Sequence, residues 1–119
     1  MNRIGIIVAV ASLIVWASCA SHKKVLYELP VAMDPAVKLE YARLCDKGKI
    51  LYDINCAGCH TTKVKGKETI PDFTAEQLEA YQVRVSNAKH EEKLSESNVS
   101  AEELSLIVTF LSYKRKNDH

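Results

Sequence analysis

The sequence predicts a small all-α domain, and three observations support that prediction. From Ala36 onward, apolar residues fall largely at steps of three and four, which is the spacing of one helix face. Two later segments, at Thr74 and Ser100, open with a Thr or Ser followed three residues on by Gln or Glu, the capping box of a helix start. The 119 residues are room for one domain, and no hairpin signal is found, so strands are not expected.

The charge balance excludes one class of partner. Sixteen Lys and Arg against fifteen Asp and Glu leave a net charge of +1. Domains that bind nucleic acid carry a strong basic excess, so no nucleic-acid partner is expected. Four cysteines are too few for a disulfide-stapled scaffold. A domain of this size therefore has a marginal core unless another group stabilises it.

Residues 1–18 have the composition of a secretory signal peptide. A short positive start in residues 1–3 precedes an apolar run in residues 4–16, and small residues follow. The run is shorter than a membrane-spanning helix requires, although an uncleaved anchor helix is the alternative.

The small residues around Cys19 indicate how the signal ends. Ala17, Ser18 and Cys19 resemble the bacterial lipobox, in which the cysteine becomes the lipid-modified first residue of the mature protein. The sequence departs from that pattern at Trp16, where an aliphatic residue is usual. The resemblance implies lipid attachment at Cys19 and anchoring to a membrane of the cell envelope, on the periplasmic side. Cleavage after Ala20 is the alternative and gives a soluble periplasmic protein; both routes export the domain.

Residues 19–35 predict a tether, because they contain two prolines and show no clear period. The domain then occupies residues 36–119. Asp34 is a suitable N-cap and Pro35 suits the first helical position, so we expect the first helix to begin here. Its apolar positions continue to Ile54.

Two further helices are expected from the capping boxes. Thr74 starts a helix whose apolar positions continue to about Val85. Ser100 starts the C-terminal helix, and the basic residues 114–116 suit its C-terminus. The apolar face of this last helix comprises Leu104, Ile107, Val108 and Leu111.

The candidate cofactor-binding motif is formed by residues 56–60, which read Cys-Ala-Gly-Cys-His. C-x-x-C-H is the attachment sequence of c-type haem. At the end of a helix, Cys56 and Cys59 can reach the two vinyl groups along one edge of a porphyrin, and His60 then lies under the ring centre to bind iron. A thioredoxin-like C-x-x-C needs a preceding strand and a zinc site needs a second pair of ligands, and the sequence offers neither. We therefore expect one covalent haem c, with its iron, per chain.

The region around the motif, residues 46–116, resembles class I cytochromes c. Gly48 and Tyr52 precede Cys56 by eight and four residues, as a glycine and an aromatic residue do on the N-terminal helix of that family. The resemblance implies a cytochrome c-like fold of three to four helices around one covalent haem. It also implies that Gly48 lets the C-terminal helix cross closely.

The resemblance extends to both sides of the haem. Ile107 and Phe110 match the residues that pack at the helix crossing, with Tyr113 as the alternative to Phe110. Pro71 lies eleven residues after His60, and the resemblance implies that its carbonyl accepts the Nδ1 hydrogen of that histidine. Such a bond orients the imidazole and raises its basicity toward iron.

The sequence departs from the family pattern at the position of the sixth iron ligand. The family usually places a methionine there, downstream of the motif and often after a lysine. Here the methionines are Met1 and Met33, which both precede the motif, and His90 follows a lysine where the methionine is expected. Of the other histidines outside the motif, His22 lies on the tether and His119 is the last residue. We expect His60 and His90 to be the metal ligands; otherwise the iron has an open face.

The attachment motif and the two histidines predict a single-electron carrier of low potential that exchanges electrons with redox partner proteins. We do not expect an enzyme. The potential is expected to be low because an imidazole in place of a thioether favours Fe(III). Residues 63–67 form an exposed basic turn that steers an acidic partner or is simply a solvated loop. The alternatives are a five-coordinate haem sensor, a peroxidatic enzyme, or the haem subunit of a larger oxidoreductase. Oligomeric state is not predicted.

Cys45 has no partner once the other three cysteines are modified. We expect it to be a buried small hydrophobic residue on the first helix. An intermolecular disulfide is the alternative in an oxidising compartment.

Overall fold

The computed structural model describes residues 27–118. The predicted signal peptide of residues 1–18, the lipid attachment site Cys19 and His119 lie outside the described residues. Within the described part, no helix has the length and apolar character needed to cross a bilayer.

The described chain is mostly helical, so the predicted all-α class is confirmed. Three helices have ten or more residues and three are shorter, which exceeds the three to four helices expected. They are α1 Pro35–Asn55, α2 Ala57–His60, α3 Ala75–Glu79, α4 Tyr81–Val85, α5 Ala88–Ser97 and α6 Ala101–Tyr113.

Helix α1 begins where its capping residues predict. The Asp34 carboxylate accepts a hydrogen bond of 2.8 Å from the backbone N–H of Ala36, and Pro35 occupies the first helical position. This proline has no N–H that would need a partner at a helix start, so it is tolerated there. The helix continues for 21 residues and brings the chain directly to the C-x-x-C-H motif.

Helices α1 and α6 cross at Gly48, as the sequence predicts. A Cβ at Gly48 would overlap the carbonyl oxygen of Leu106 and lie 2.9 Å from the Cβ of Phe110. Only a residue without a side chain permits this approach. Tyr52 packs beside the crossing, with its ring centroid 5.8 Å from that of Phe110.

The core of the described domain lies at this crossing. Ile107 and Phe110 are 2% and 1% exposed, whereas Tyr113 is half-buried and packs against Tyr41, so Phe110 is the aromatic residue of the crossing. The fully packed hydrophobic residues are Cys45, Tyr52, Ile107, Phe110 and Leu111.

Both capping boxes form. Thr74 and Gln77 exchange side-chain and backbone hydrogen bonds at the start of α3, and Ser100 and Glu103 do so at the start of α6. The helix that begins after Thr74 does not run unbroken to Val85, because the backbone leaves helical geometry at Ala80 (φ −86°, ψ 18°) and restarts as α4.

A short hairpin corrects the expectation that no strands form. Strands β1 (Thr62–Val64) and β2 (Lys67–Thr69) pair antiparallel across a two-residue turn. Lys65 and Gly66 both have positive φ, 51° and 77°, which is the pattern of a type I′ turn. The usual sequence signal for this turn is Asn-Gly or Asp-Gly. Here the first position is a lysine, so the sequence does not indicate the turn.

Within the predicted tether, Tyr27 and Glu28 contact the domain. The N–H of Glu28 donates to the carbonyl of Tyr113 at 2.8 Å, and Tyr27 forms a β-bridge with Lys114. The Tyr27 hydroxyl also donates to Asp46 at 2.7 Å. These partners lie far along the chain, so no local pattern in residues 19–35 indicates the contact.

Candidate haem site

The C-x-x-C-H residues lie on a single helical turn that follows a break in the backbone at Cys56. The N–H of Cys56 closes α1 by donating to the Tyr52 carbonyl at 2.8 Å. The Cys56 carbonyl accepts from the N–H groups of Cys59 and His60, at 3.2 and 2.9 Å, and so starts α2. Cys56 and His60 are half-buried and Cys59 is exposed. The motif therefore stands at the domain surface, with its histidine directed into the packed side.

The structure brings His60 and His90 together. Their ring centroids lie 5.9 Å apart, and the ring planes are within 10° of parallel. A metal–imidazole nitrogen bond is about 2 Å long, so two imidazoles on one metal have centroids about 6 Å apart. The spacing of this pair therefore fits two ligands of one haem iron. The thirty residues between them form the hairpin, α3 and α4 before α5 returns His90 to the site.

Two groups contact one nitrogen of the His90 ring. Nδ1 lies 3.2 Å from the carbonyl oxygen of Arg84 and 2.8 Å from the side-chain nitrogen of Asn87. Asn87 is also the N-cap of α5, because its Oδ1 accepts from the N–H of His90 at 3.2 Å. With Nδ1 engaged in these contacts, Nε2 is the nitrogen that remains to bind a metal.

Electrostatics favour the neutral, metal-binding form of His60. Burial, followed by the nearby His90 ring, lowers the pKa of His60. A neutral imidazole has the lone pair that a metal needs, whereas an imidazolium does not. Burial, and then the neighbouring Cys59, raise the pKa of the free Cys56 thiol to about 11. Before haem is attached, Cys56 is therefore a protonated thiol.

The loop that contains Pro71 reaches His60 through an aromatic contact. The Phe73 ring stands nearly edge-on to the His60 ring, at a centroid distance of 6.1 Å. Among the described residues, the Pro71 carbonyl forms no hydrogen bond with the His60 ring, so the role implied for Pro71 stays a prediction.

The same loop is held by the C-terminal segment, which the sequence did not indicate. The nearly buried Lys114 ammonium pairs with the Asp72 carboxylate. Asn117 donates from its N–H to Asp72 at 3.0 Å and from its side chain to the Ile70 carbonyl at 2.8 Å. From the sequence, Lys114 is expected only to favour the C-terminus of the last helix. In the structure its charge also holds the loop whose Phe73 ring contacts His60.

Cys45 lies outside the site and is fully buried. Its Sγ faces the carbonyl oxygen of Thr109 at 3.8 Å, on α6. Burial, and then the charge of Asp46, raise its pKa to about 11. The expectation of a buried small residue is confirmed, and a thiol in this position cannot reach another chain.

No other metal site competes within the described residues. No group of three or more His, Cys, Asp and Glu side chains comes together there.

Comparison with known families decides the assignment. The family model described as Cytochrome c matches residues 45–113, which is more than half of the chain. The chain belongs to the cytochrome c family. Members carry covalently attached haem c with its iron, so the predicted cofactor and the cytochrome c-like fold are confirmed. No curated protein and no solved structure matches the chain.

The matched region covers most of the helical domain. Matching begins at Cys45 in the second half of α1 and ends at Tyr113, the last residue of α6. It includes the C-x-x-C-H motif, Pro71 and His90. This cytochrome is a haem-based electron carrier and has redox partners.

Proposed function

We propose that this cytochrome carries single electrons with one haem c attached through Cys56 and Cys59, and that His60 and His90 are the axial ligands. The observation that carries the proposal is the approach of the two imidazoles, 5.9 Å between centroids and nearly parallel. This pair combines a histidine of the attachment motif with one thirty residues later. Its centroid spacing is consistent with two imidazoles bound to one iron.

Each residue has a distinct task in this assignment. Bound haem supplies a one-electron change at iron. Cys56 and Cys59 fix the position of the ring through thioethers, and the Pro71 carbonyl is assigned to the Nδ1 hydrogen of His60. His90 occupies the sixth position, so a small ligand must displace it before it binds.

A low reduction potential follows from two nitrogen ligands. A histidine–methionine pair raises the potential, and replacing the thioether by a second imidazole removes that effect. The protein in this form is an electron carrier without substrate turnover.

The basic hairpin is assigned to partner docking. Lys63, Lys65 and Lys67 lie on β1, the turn and β2, and all three are exposed. The hairpin follows His60 directly in the chain, so its charge stands beside the attachment edge. Complementary charge raises the rate of encounter, which favours an acidic redox partner.

Substitution of His90 tests the ligand assignment. His90→Ala should convert a low-spin, six-coordinate haem into a high-spin or water-ligated ferric form that binds carbon monoxide readily once reduced. His90→Met should raise the midpoint potential, because a thioether favours Fe(II). Visible spectra and a potentiometric titration measure both effects.

The neighbouring Lys89 provides a matched control. Lys89 is exposed on the same turn of α5, so Lys89→Ala should keep the low-spin spectrum. A low-spin spectrum that survives His90→Ala would contradict the assignment and require another ligand. An open iron face in the unaltered protein would instead favour a five-coordinate sensor or a peroxidatic enzyme. Constant co-purification with a catalytic chain would favour a haem subunit of a larger oxidoreductase.

Export and anchoring form a separate part of the proposal. Residues 1–18 are assigned to a lipoprotein signal peptide and Cys19 to the lipid attachment that holds the domain on the periplasmic side of a membrane. Radioactive palmitate should label the protein, and Cys19→Ser should abolish the label. An unlabelled mature protein beginning at Ser21 would show ordinary secretion to the periplasm instead.

A further inference from the structure

The Nδ1 side of the His90 ring faces two groups with opposite requirements. The Arg84 carbonyl, 3.2 Å away, can only accept a hydrogen bond, so it requires the proton on Nδ1. The Asn87 side-chain nitrogen, 2.8 Å away, can only donate, so it requires a lone pair on Nδ1. One neutral imidazole cannot satisfy both groups at once, because its single proton lies on one nitrogen or the other.

The orientation of the Asn87 amide is determined by its other partners. Its Oδ1 accepts from the N–H of His90 at 3.2 Å, and its Nδ2 donates to the Arg84 carbonyl at 2.7 Å. Exchanging the two amide atoms would place an oxygen against the Arg84 oxygen and a nitrogen against the N–H of His90. The donor of Asn87 therefore stays on the side of His90 Nδ1.

Iron binding through Nε2 requires the proton on Nδ1. In that form the imidazole donates to the Arg84 carbonyl, and the bond makes it a better donor to the metal. Asn87 opposes this form, since its Nδ2 donor lies 2.8 Å from Nδ1 and favours a lone pair there. We propose that Asn87 is a positioning residue that weakens the His90–iron bond by holding its Nδ2 donor against Nδ1 of the His90 ring. This proposal rests on the proposed ligation by His90.

The charge-neutral test is Asn87→Ser. Serine is as good an N-cap as asparagine, so α5 keeps its start while the Nδ2 donor is lost. With no donor against Nδ1, that nitrogen can carry its hydrogen and donate it to the Arg84 carbonyl. Outer contacts of a ligand histidine change metal affinity about 10- to 100-fold. We therefore expect carbon monoxide, which must displace His90, to bind the reduced protein about tenfold more slowly, with a lower midpoint potential.

A second variant and its control separate hydrogen bonding from charge. Asn87→Asp keeps the cap and places an oxygen near both the Arg84 oxygen and Nδ1. The two oxygens repel each other unless the Nδ1 hydrogen stands between them, so this variant also favours the proton on Nδ1 and should slow carbon monoxide binding. Ala88→Asp adds the same charge one residue further on without an amide contact to His90. It should leave the carbon monoxide rate near that of the unaltered protein.

The outcomes distinguish this inference from the ligand assignment. Slower binding in Asn87→Ser and Asn87→Asp, but not in Ala88→Asp, supports the role of Asn87. An unchanged rate and potential in Asn87→Ser, with an unchanged melting temperature, would overturn it, as would equal effects of Asn87→Asp and Ala88→Asp. A low-spin spectrum in His90→Ala would overturn the ligation itself, whatever the Asn87 variants show.

Discussion

At Gly48, the absence of one side-chain carbon decides how closely α1 and α6 approach. The backbone of Leu106 occupies the space that a Cβ would need, and a backbone atom cannot turn away as a flexible side chain can. Gly58, inside the motif, is the opposite case, because a Cβ built there meets no atom within 4 Å. The two glycines of the helical region therefore provide a matched pair.

Gly48→Ala is expected to destabilise the protein despite the better helix propensity of alanine. Propensity alone would stabilise a helix by about 1 kcal/mol. Overpacking against the Leu106 carbonyl costs about 1 to 3 kcal/mol or more, so the net free energy of unfolding should fall. Denaturant titration followed by far-UV circular dichroism measures the change.

Gly58→Ala is the control for that experiment. It adds the same carbon in open space and should change stability by less than about 1 kcal/mol. Equal stability of Gly48→Ala and the unaltered protein would show that the crossing does not depend on the glycine.

At the scale of elements, the C-terminal segment after α6 holds the loop between β2 and α3. Lys114 is 5% exposed and Asp72 18% exposed, so water screens their ion pair weakly. Lys116 adds a bond of 3.3 Å from its ammonium to the Phe73 carbonyl. Since the Phe73 ring packs on His60, this ion pair links the end of the chain to the haem site.

Asp72→Asn should destabilise the protein by about 3 kcal/mol at neutral pH. Removing one partner of a nearly buried pair leaves the other charge without compensation, which costs about 3 to 5 kcal/mol when burial is complete. A Lys114→Met change in the same chain should recover part of the loss, because it removes the remaining charge. Thermal unfolding of the two single variants and the double variant measures the coupling energy between Asp72 and Lys114.

The pH dependence of that loss has a definite sign. Burial would raise the pKa of Asp72, but the hydrogen bonds from Lys114 and Asn117 and the nearby lysine charges outweigh it and lower the pKa below its usual value. The stability is therefore present above the ordinary aspartate pKa of about 3.9 and is lost as the pH falls through the lower folded value. The gap between unaltered protein and Asp72→Asn should narrow below about pH 4. A gap that is constant with pH would show that the charge is not responsible.

For the whole molecule, the described core is small and haem enlarges it. Five hydrophobic side chains are buried, while Ile50, Ile54 and Val83 are 60%, 73% and 80% exposed among the described residues. A core of this size is marginal for a domain of this length. Covalent haem adds an apolar plate that cannot dissociate, and a group bound only by the folded state stabilises that state.

The double variant Cys56→Ala, Cys59→Ala is expected to be largely unfolded once non-covalent haem is extracted. Without the thioethers, haem is lost and the helices keep only the small core at the α1–α6 crossing. Far-UV circular dichroism and a thermal scan measure the helical signal and its cooperativity. Gly58→Ala, between the two cysteines, should keep haem through acid–acetone extraction and stay folded. A haem-free double variant that melts cooperatively at the unaltered temperature would contradict the role of haem in folding.

Local and covalent features were predictable from the sequence. The C-x-x-C-H motif acts within five residues and predicted the cofactor. The caps at Asp34, Thr74 and Ser100 act within two or three residues and predicted the starts of three of the six described helices. The turn at Lys65 and Gly66 was missed although it is local, because its residues are not the ones that usually indicate a hairpin.

The sequence by itself determined the helical class, the haem attachment motif and the need for glycine at the helix crossing, because each rests on short spacings or on a known family pattern. Only the tertiary structure decided that Lys114 binds Asp72 across 42 residues and that the segment at Tyr27 packs on α1 and α6. It also placed Arg84 and Asn87 on one nitrogen of His90. The physical reason is that contacts between distant residues depend on how the whole chain returns on itself, and no short pattern in the sequence records that path.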